Sequence, residues 1–153
     1  MLLLGACGGR ATTGPTAPVN LQRKPLYDRI GGMDAIDGIV KDFVEVRIAR
    51  DDRIRDRFTN VDLRHFKAML ADQICEAAGG PCKYEGKQMR EVHAGMALGD
   101  AEFRVFLDDL RQALGALPAR EQDELIELLA PLKEQIVAPE DPSKSGPLHL
   151  GPQ

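Results

Sequence analysis

Apolar residues in the middle of the chain recur at intervals of three and four, the spacing that gathers them on one face of an α-helix. Met33, Ile36, Val40 and Phe43 form one such stripe, directly after Gly31–Gly32. Leu63, Phe66, Leu70, Ile74 and Ala77 form a second, and Gly79–Gly80–Pro81 is a strong stop for it. Phe103, Phe106, Leu110, Leu114 and Leu117 form a third, for which Asp100 is the expected N-cap. Leu125, Leu128, Leu129, Leu132 and Ile136 form a fourth, and Pro131 inside it is expected to split the helix. No stretch alternates with a period of two, so the pattern predicts an all-α domain.

The prolines mark where this domain begins and ends. Pro15, Pro18 and Pro25 precede it, and Pro139, Pro142, Pro147 and Pro152 follow it. Residues 1–25 therefore read as a leader and flexible linker, 26–137 as the domain, and 138–153 as a disordered Pro-rich tail. One part of the domain is weakly patterned. Between Gly79 and Asp100 the chain is punctuated by Gly86, Gly95 and Gly99, and only Gln88–Ala94 reads as a short helix. A long, loosely structured segment inside a compact domain is commonly functional, and this one contains His93.

Composition narrows the classes. The chain has 153 residues, 43% hydrophobic and 29% charged, with a net charge of −4. These values describe a soluble globular protein. No basic block marks a nucleic-acid surface, and no apolar run approaches the roughly 18 residues of a spanning helix. Asp51, Asp52, Arg53, Arg55 and Arg57 read as solvated surface. Aromatic residues are few: five Phe, two Tyr and no Trp. Such a core is filled by aliphatic side chains or by something that is not protein.

The first residues, Leu4-Gly5-Ala6-Cys7, resemble a bacterial lipobox, in which the Cys carries the lipid of the mature protein. The apolar run before it is only three Leu long, shorter than an ordinary signal core. The expectation is a chain held at the periplasmic side by a lipid on Cys7, with no other membrane contact. The alternative is a cytoplasmic protein with an apolar N-terminus. Cys75 and Cys82 then remain as an even pair, bracketing the Gly79–Gly80–Pro81 reversal. They admit three readings: a disulfide, two free thiols, or a zinc site with His93.

His93 sits between Met89, four residues before it, and Met96, three after, and so falls on an apolar face if the helix continues. A histidine in that setting reads either as a core residue or as a ligand to a metal held between longer helices. The ring-poor core leaves room for a flat apolar prosthetic group beside it.

An ordered set of motifs makes this specific. Leu26-Tyr27-Asp28-Arg29-Ile30-Gly31-Gly32, Phe43, Gly79-Gly80-Pro81, Tyr84-Glu85-Gly86-Lys87-Gln88-Met89, His93-Ala94-Gly95-Met96 and Phe103 follow one another along the domain. Together they resemble a group I truncated haemoglobin, a two-over-two helical sandwich around a haem. The resemblance implies haem b (iron protoporphyrin IX) as cofactor and His93 as the proximal iron ligand. It puts Met89, Leu98 and Phe103 on the proximal side, Tyr84 and Lys67 near the propionates, and Phe66, Leu70 and Ile74 on the distal helix.

The sequence departs from the family on the distal side. Many members follow the Phe of the second helix with a Tyr, whose hydroxyl donates a hydrogen bond to bound oxygen; here Phe43 is followed by Val44. Phe66 and Leu70 are apolar where a Gln is common. Arg47–Arg50 carries one residue more than the usual pattern. The expectation is a protein that binds a diatomic gas (oxygen, nitric oxide or carbon monoxide) and releases oxygen quickly, unless Lys67, His65 or Gln73 swings in as donor or His65 as a sixth ligand. The alternatives are a haem enzyme, dioxygenase or peroxidase-like, served by an electron donor, and a haem-free helical interaction module tethered to the membrane. His149 lies in the tail and takes no part in these readings.

Overall fold

The computed structural model describes residues 23–139; the Cys7 lipobox and the tail with His149 lie outside them. All regular structure among the described residues is helical. The elements are α1 (Leu26–Ile30), α2 (Gly32–Asp42), α3 (Leu63–Ala77), α4 (Met89–Val92), α5 (Asp100–Ala113), α6 (Ala119–Leu129) and α7 (Lys133–Ile136). None of them is long and apolar enough to cross a membrane.

The stripes become the core. Ile36, Val40, Phe43, Leu70, Ile74, Leu110, Leu114, Leu125 and Leu129 belong to one continuous buried cluster, with Phe43 edge-on to Phe106 at 4.9 Å between ring centroids. The outer members of two stripes are not part of it: Leu63 at the first turn of α3 and Leu128 on α6 are exposed. Pro131 divides the last helix as expected. The chain tightens into a 3₁₀ turn over Ala130–Leu132 before α7 resumes.

Two helix starts illustrate the limits of local pattern. Asp62 caps α3, its carboxylate accepting from the N–H groups of Arg64 and His65. For α5 the expected cap, Asp100, is instead the first helical residue; Gly99 is the N-cap, and the Glu102 side chain reaches back to accept its N–H at 2.9 Å. Asp100 faces Arg104 and Lys133 instead.

The extra residue between Phe43 and Asp51 has a structural form. Phe43–Ile48 is a π-helical turn that continues α2. A π-turn accommodates one more residue than the α-helix it interrupts. Here it carries Ile48 rather than Arg47 into the core: Phe43, Val44 and Ile48 are all buried, while Arg47 is half-buried and donates to Asp42.

Behind this turn lies a buried acid. Asp109 on α5 is 3% exposed and its Oδ2 has no hydrogen-bond partner among the described residues. It faces Asp51, whose carboxylate is held at about 2 by hydrogen bonds from the Arg53 side chain and backbone N–H. Burial first, and the Asp51 charge second, hold the Asp109 carboxyl above its ordinary range. An acid raised in this way contributes stability that is fully present below its unfolded value of 3.8 and is lost as pH rises through the folded value. Asp109→Asn should therefore gain on the wild type as pH rises from 4 to 8, with a slope of at most about 1.4 kcal/mol per pH unit. Urea midpoints of the two chains across that range test this, and parallel profiles would refute it.

Candidate functional site

The weakly patterned segment after Gly79 is tied to α3 at its start and to the turn before α3 at its end. At its start, Gly80 N–H donates to the Cys75 carbonyl at 2.8 Å. A Cβ on Gly80 would stand 2.5 Å from the Tyr27 ring and 2.7 Å from Cys75 Sγ, so only glycine lets the chain pass this close. The reversal brings Cys82 to Cys75, and the two are joined by a disulfide with their Cα atoms 5.8 Å apart. Two residues on, the Tyr84 N–H donates to the Glu76 carboxylate. At the far end, Arg57, just before α3, donates to the Met96 carbonyl at 3.1 Å. Residues 82–96 thus lead from the C-terminal end of α3 to the turn that precedes α3. Yet α4, in the middle of that run, packs on α7, while α3 packs on α2 and α6. Between the Cys75–Cys82 and Tyr84–Glu76 ties at one end and the Arg57–Met96 tie at the other, each wall packs on other elements.

Phe66, Leu70 and Ile74 stand on one face of α3, and with Phe43 and Val44 they lie in or against the continuous core. Phe58, which the sequence reading did not single out, packs on Phe66 at 5.4 Å between ring centroids. Phe103 is buried but stands apart from that core. Met89, His93 and Leu98 are half-buried. Val61, Leu63, Val92 and Met96, large apolar residues at the ends of this region, are exposed.

Helix α4 ends at Val92, so His93 is its C-cap rather than a mid-helix residue. The expected helical face from Met89 to Met96 therefore does not form, because Gly95 at φ 79° and Ala97 at φ 49° turn the chain away, and Met96 is exposed. The Met89 carbonyl instead holds His93 twice, accepting its backbone N–H at 3.1 Å and sitting 2.7 Å from its ring Nδ1. A carbonyl can only accept, so Nδ1 carries a proton, and in the neutral ring Nε2 is the nitrogen left with a lone pair. Among the described residues Nε2 makes no hydrogen bond.

Tyr84 and Lys67 have their polar ends engaged elsewhere. The Tyr84 hydroxyl donates to the Lys87 carbonyl at 3.0 Å, and burial raises its pKa. Lys67 pairs with Glu45 of the π-turn, and that ammonium first of all holds the Glu45 carboxyl below its ordinary value. His65 is exposed and Gln73 half-buried. Among the described residues no three His, Cys, Asp or Glu side chains are grouped to hold a metal ion. Cys75, Cys82 and His93 therefore do not make a zinc site.

The site thus offers apolar walls, an exposed apolar margin and one imidazole with a free Nε2 held by its own backbone. These features suit a flat apolar group whose metal takes a single axial nitrogen. Polar groups along the walls are turned to one another.

Comparison with known proteins agrees with the helical fold. Residues 25–138 match the family model described as bacterial-like globin. The chain is 32% identical over 117 residues to a group 1 truncated haemoglobin of Mycolicibacterium paratuberculosis, covering 75% of this chain and 85% of that one. It is 36% identical over 93 residues to one of Synechocystis, covering 58% and 74%. The crystal structure of truncated haemoglobin from Tetrahymena pyriformis in its Fe(III) form superposes with a TM-score of 0.72 at 24% identity, covering 76% of this chain and all of that one. The chain belongs to the bacterial-like globin family and, within it, to the group I truncated haemoglobins.

Proposed function

We propose that this protein binds haem b through His93 and reversibly binds a diatomic gas on the opposite, distal side. The observation that carries the reading is the doubly held His93, with Nδ1–H fixed on the Met89 carbonyl and Nε2 free. That hydrogen bond sets the tautomer and the ring orientation, and raises the basicity of the free nitrogen. Haem supplies the gas-binding chemistry when bound. The chain supplies the axial nitrogen, Phe43, Val44, Phe66, Leu70 and Ile74 as a dry distal wall, and Met89, Leu98 and Phe103 on the proximal side.

No side chain of that distal wall has a hydrogen to donate. A polar diatomic ligand gains from a donor in a low-dielectric pocket, so oxygen is held weakly and carbon monoxide or nitric oxide comparatively well. Titration of the apoprotein with haemin should give a saturable one-to-one Soret band, and the reduced protein should bind carbon monoxide. Val44→Tyr should slow oxygen release about tenfold, the effect of one hydrogen bond of about 1.4 kcal/mol to a partly charged acceptor. Failure of the wild type to saturate with haemin would overturn the reading; unchanged oxygen release in Val44→Tyr would overturn the assignment of the distal wall. An oxidising compartment is the setting in which a bond such as Cys75–Cys82 persists, and this supports a periplasmic chain; the tether through Cys7 rests on the lipobox resemblance alone.

A further inference from the structure

Arg57 belongs to a group of charged residues whose sequence pattern suggests only solvent contact. Its geometry is different. It lies in the 3₁₀ turn Arg55–Phe58 that leads towards α3, beside Phe58, whose ring packs on Phe66 of the distal wall. From there its guanidinium crosses to the other wall. Nη1 donates to the Met96 carbonyl at 3.1 Å and Nε to Glu102 Oε1 at 2.6 Å. The second oxygen of Glu102 accepts the Gly99 N–H at 2.9 Å. Burial works against the Glu102 charge, and the Arg57 and Gly99 hydrogen bonds more than offset it. One guanidinium and one carboxylate therefore fix both ends of the stretch Met96–Gly99.

That stretch is one turn from His93. Met96 N–H donates to the His93 carbonyl at 3.1 Å, which makes His93–Met96 a closed turn. The chain just beyond that turn does not hold itself well. Ala97 has a left-handed backbone at φ 49°, a conformation that a residue with a Cβ adopts only at a cost, and Met96 is exposed. Its conformation is imposed by its anchors, of which the Arg57 fork is the one that originates on the distal side of the site. The Leu98 carbonyl, accepting from Ala138 N–H, is the anchor on the other side.

We propose that Arg57 is a positioning residue for His93: by holding Met96 and Glu102 it sets the turn that carries the imidazole, and it couples the distal loop to the proximal side. The inference rests on the reading of His93 as the haem ligand. A lysine at this position would retain the charge opposite Glu102 but not the planar fork that also reaches the Met96 carbonyl.

The test compares wild type, Arg57→Gln and Arg57→Lys, first as apoprotein and then after saturation with haemin. In the apoprotein, hydrogen exchange at the Met96 and Gly99 amides should quicken in Arg57→Gln, with the α3 amides unchanged. In the loaded ferrous protein, the iron–imidazole stretching band should shift. Haem transfer to a globin acceptor should quicken about three- to fivefold, the scale of a half-exposed ion pair. Arg57→Lys should fall between the two in transfer rate. A wild type that does not saturate with haemin overturns the haem reading, and this proposal with it. A wild type that loads normally while Arg57→Gln matches it in exchange, stretching band and transfer overturns this proposal alone. A lowered urea midpoint with an unshifted stretching band also overturns it, since that result belongs to a residue that only stabilises the fold.

Discussion

His93→Ala is expected to abolish the stable one-to-one haemin complex, lowering affinity by more than about 100-fold, the upper range for lost supporting contacts and a floor for a lost ligand. The size of the effect follows from the geometry. On the proposed reading the imidazole supplies the axial nitrogen, and among the described residues the Met89 carbonyl holds its Nδ1 and leaves Nε2 open. Removing it leaves the apolar walls intact, because His93 is half-buried and lies outside the continuous core. The apoprotein should therefore unfold near the wild-type urea midpoint while failing to retain haemin. Imidazole added to the variant should restore part of the Soret band by occupying the vacated space. His65→Ala is the control: His65 is exposed on the first turn of α3, and its loss should leave affinity within about twofold, the effect of an ordinary surface substitution. Retention of haemin by His93→Ala at wild-type affinity would show that the ligand is another residue.

The helices of this fold are legible in the sequence because each buries one face of its own. Ile36, Val40, Leu70, Ile74, Leu110 and Leu125 fall where a period of 3.6 puts them, and all are buried. Breakers are legible for the same local reason: Gly79–Gly80 ends α3, and Pro131 splits the last helix into α6 and α7. The additional residue near Arg47–Arg50 is visible as an irregular count, but its form as a π-turn is decided by tertiary packing. The turn brings Ile48 inward and leaves Arg47 with Asp42. What periodicity does not contain is any contact made across the fold. Arg57 lies 45 residues from Glu102 and 39 from Met96, and nothing in the local charge pattern distinguishes it from Arg55, which pairs with its neighbours Asp52 and Asp56. Asp109 is similar: no sequence pattern singles it out, and its burial against Asp51 follows from how α5 packs on the π-turn. Residue type and motif single out His93 in the sequence, whereas its support by the Met89 carbonyl depends on α4 ending at Val92.

Loss of the Cys75–Cys82 bond should lower the stability of the apoprotein by about 2.5 kcal/mol. The bond closes a loop of sequence separation 7, and a loop of that size restricts the unfolded chain by about this amount in the entropic model. Two routes separate the bond from the side chains. Reduction of the wild type by a dithiol should shift its urea midpoint, whereas the Cys75→Ala, Cys82→Ser double variant should start from the lowered value and not respond to the reductant. Equal midpoints for oxidised and reduced wild type would show that the tie contributes nothing. The consequence for the site follows from where the tie sits. Cys82 lies at the start of the run that leads through Tyr84 to His93, and Cys75 is fully buried in α3. Without the bond, the start of that run is held by the Gly80–Cys75 and Tyr84–Glu76 hydrogen bonds. The N-terminal side of the run then frees up while Arg57 still fixes its C-terminal side. Haem transfer to an acceptor should accordingly quicken in the reduced protein, in the same direction as in Arg57→Gln. Combining reduction with Arg57→Gln should give more than the product of the two effects, because each tie limits how far the segment can move when the other is absent.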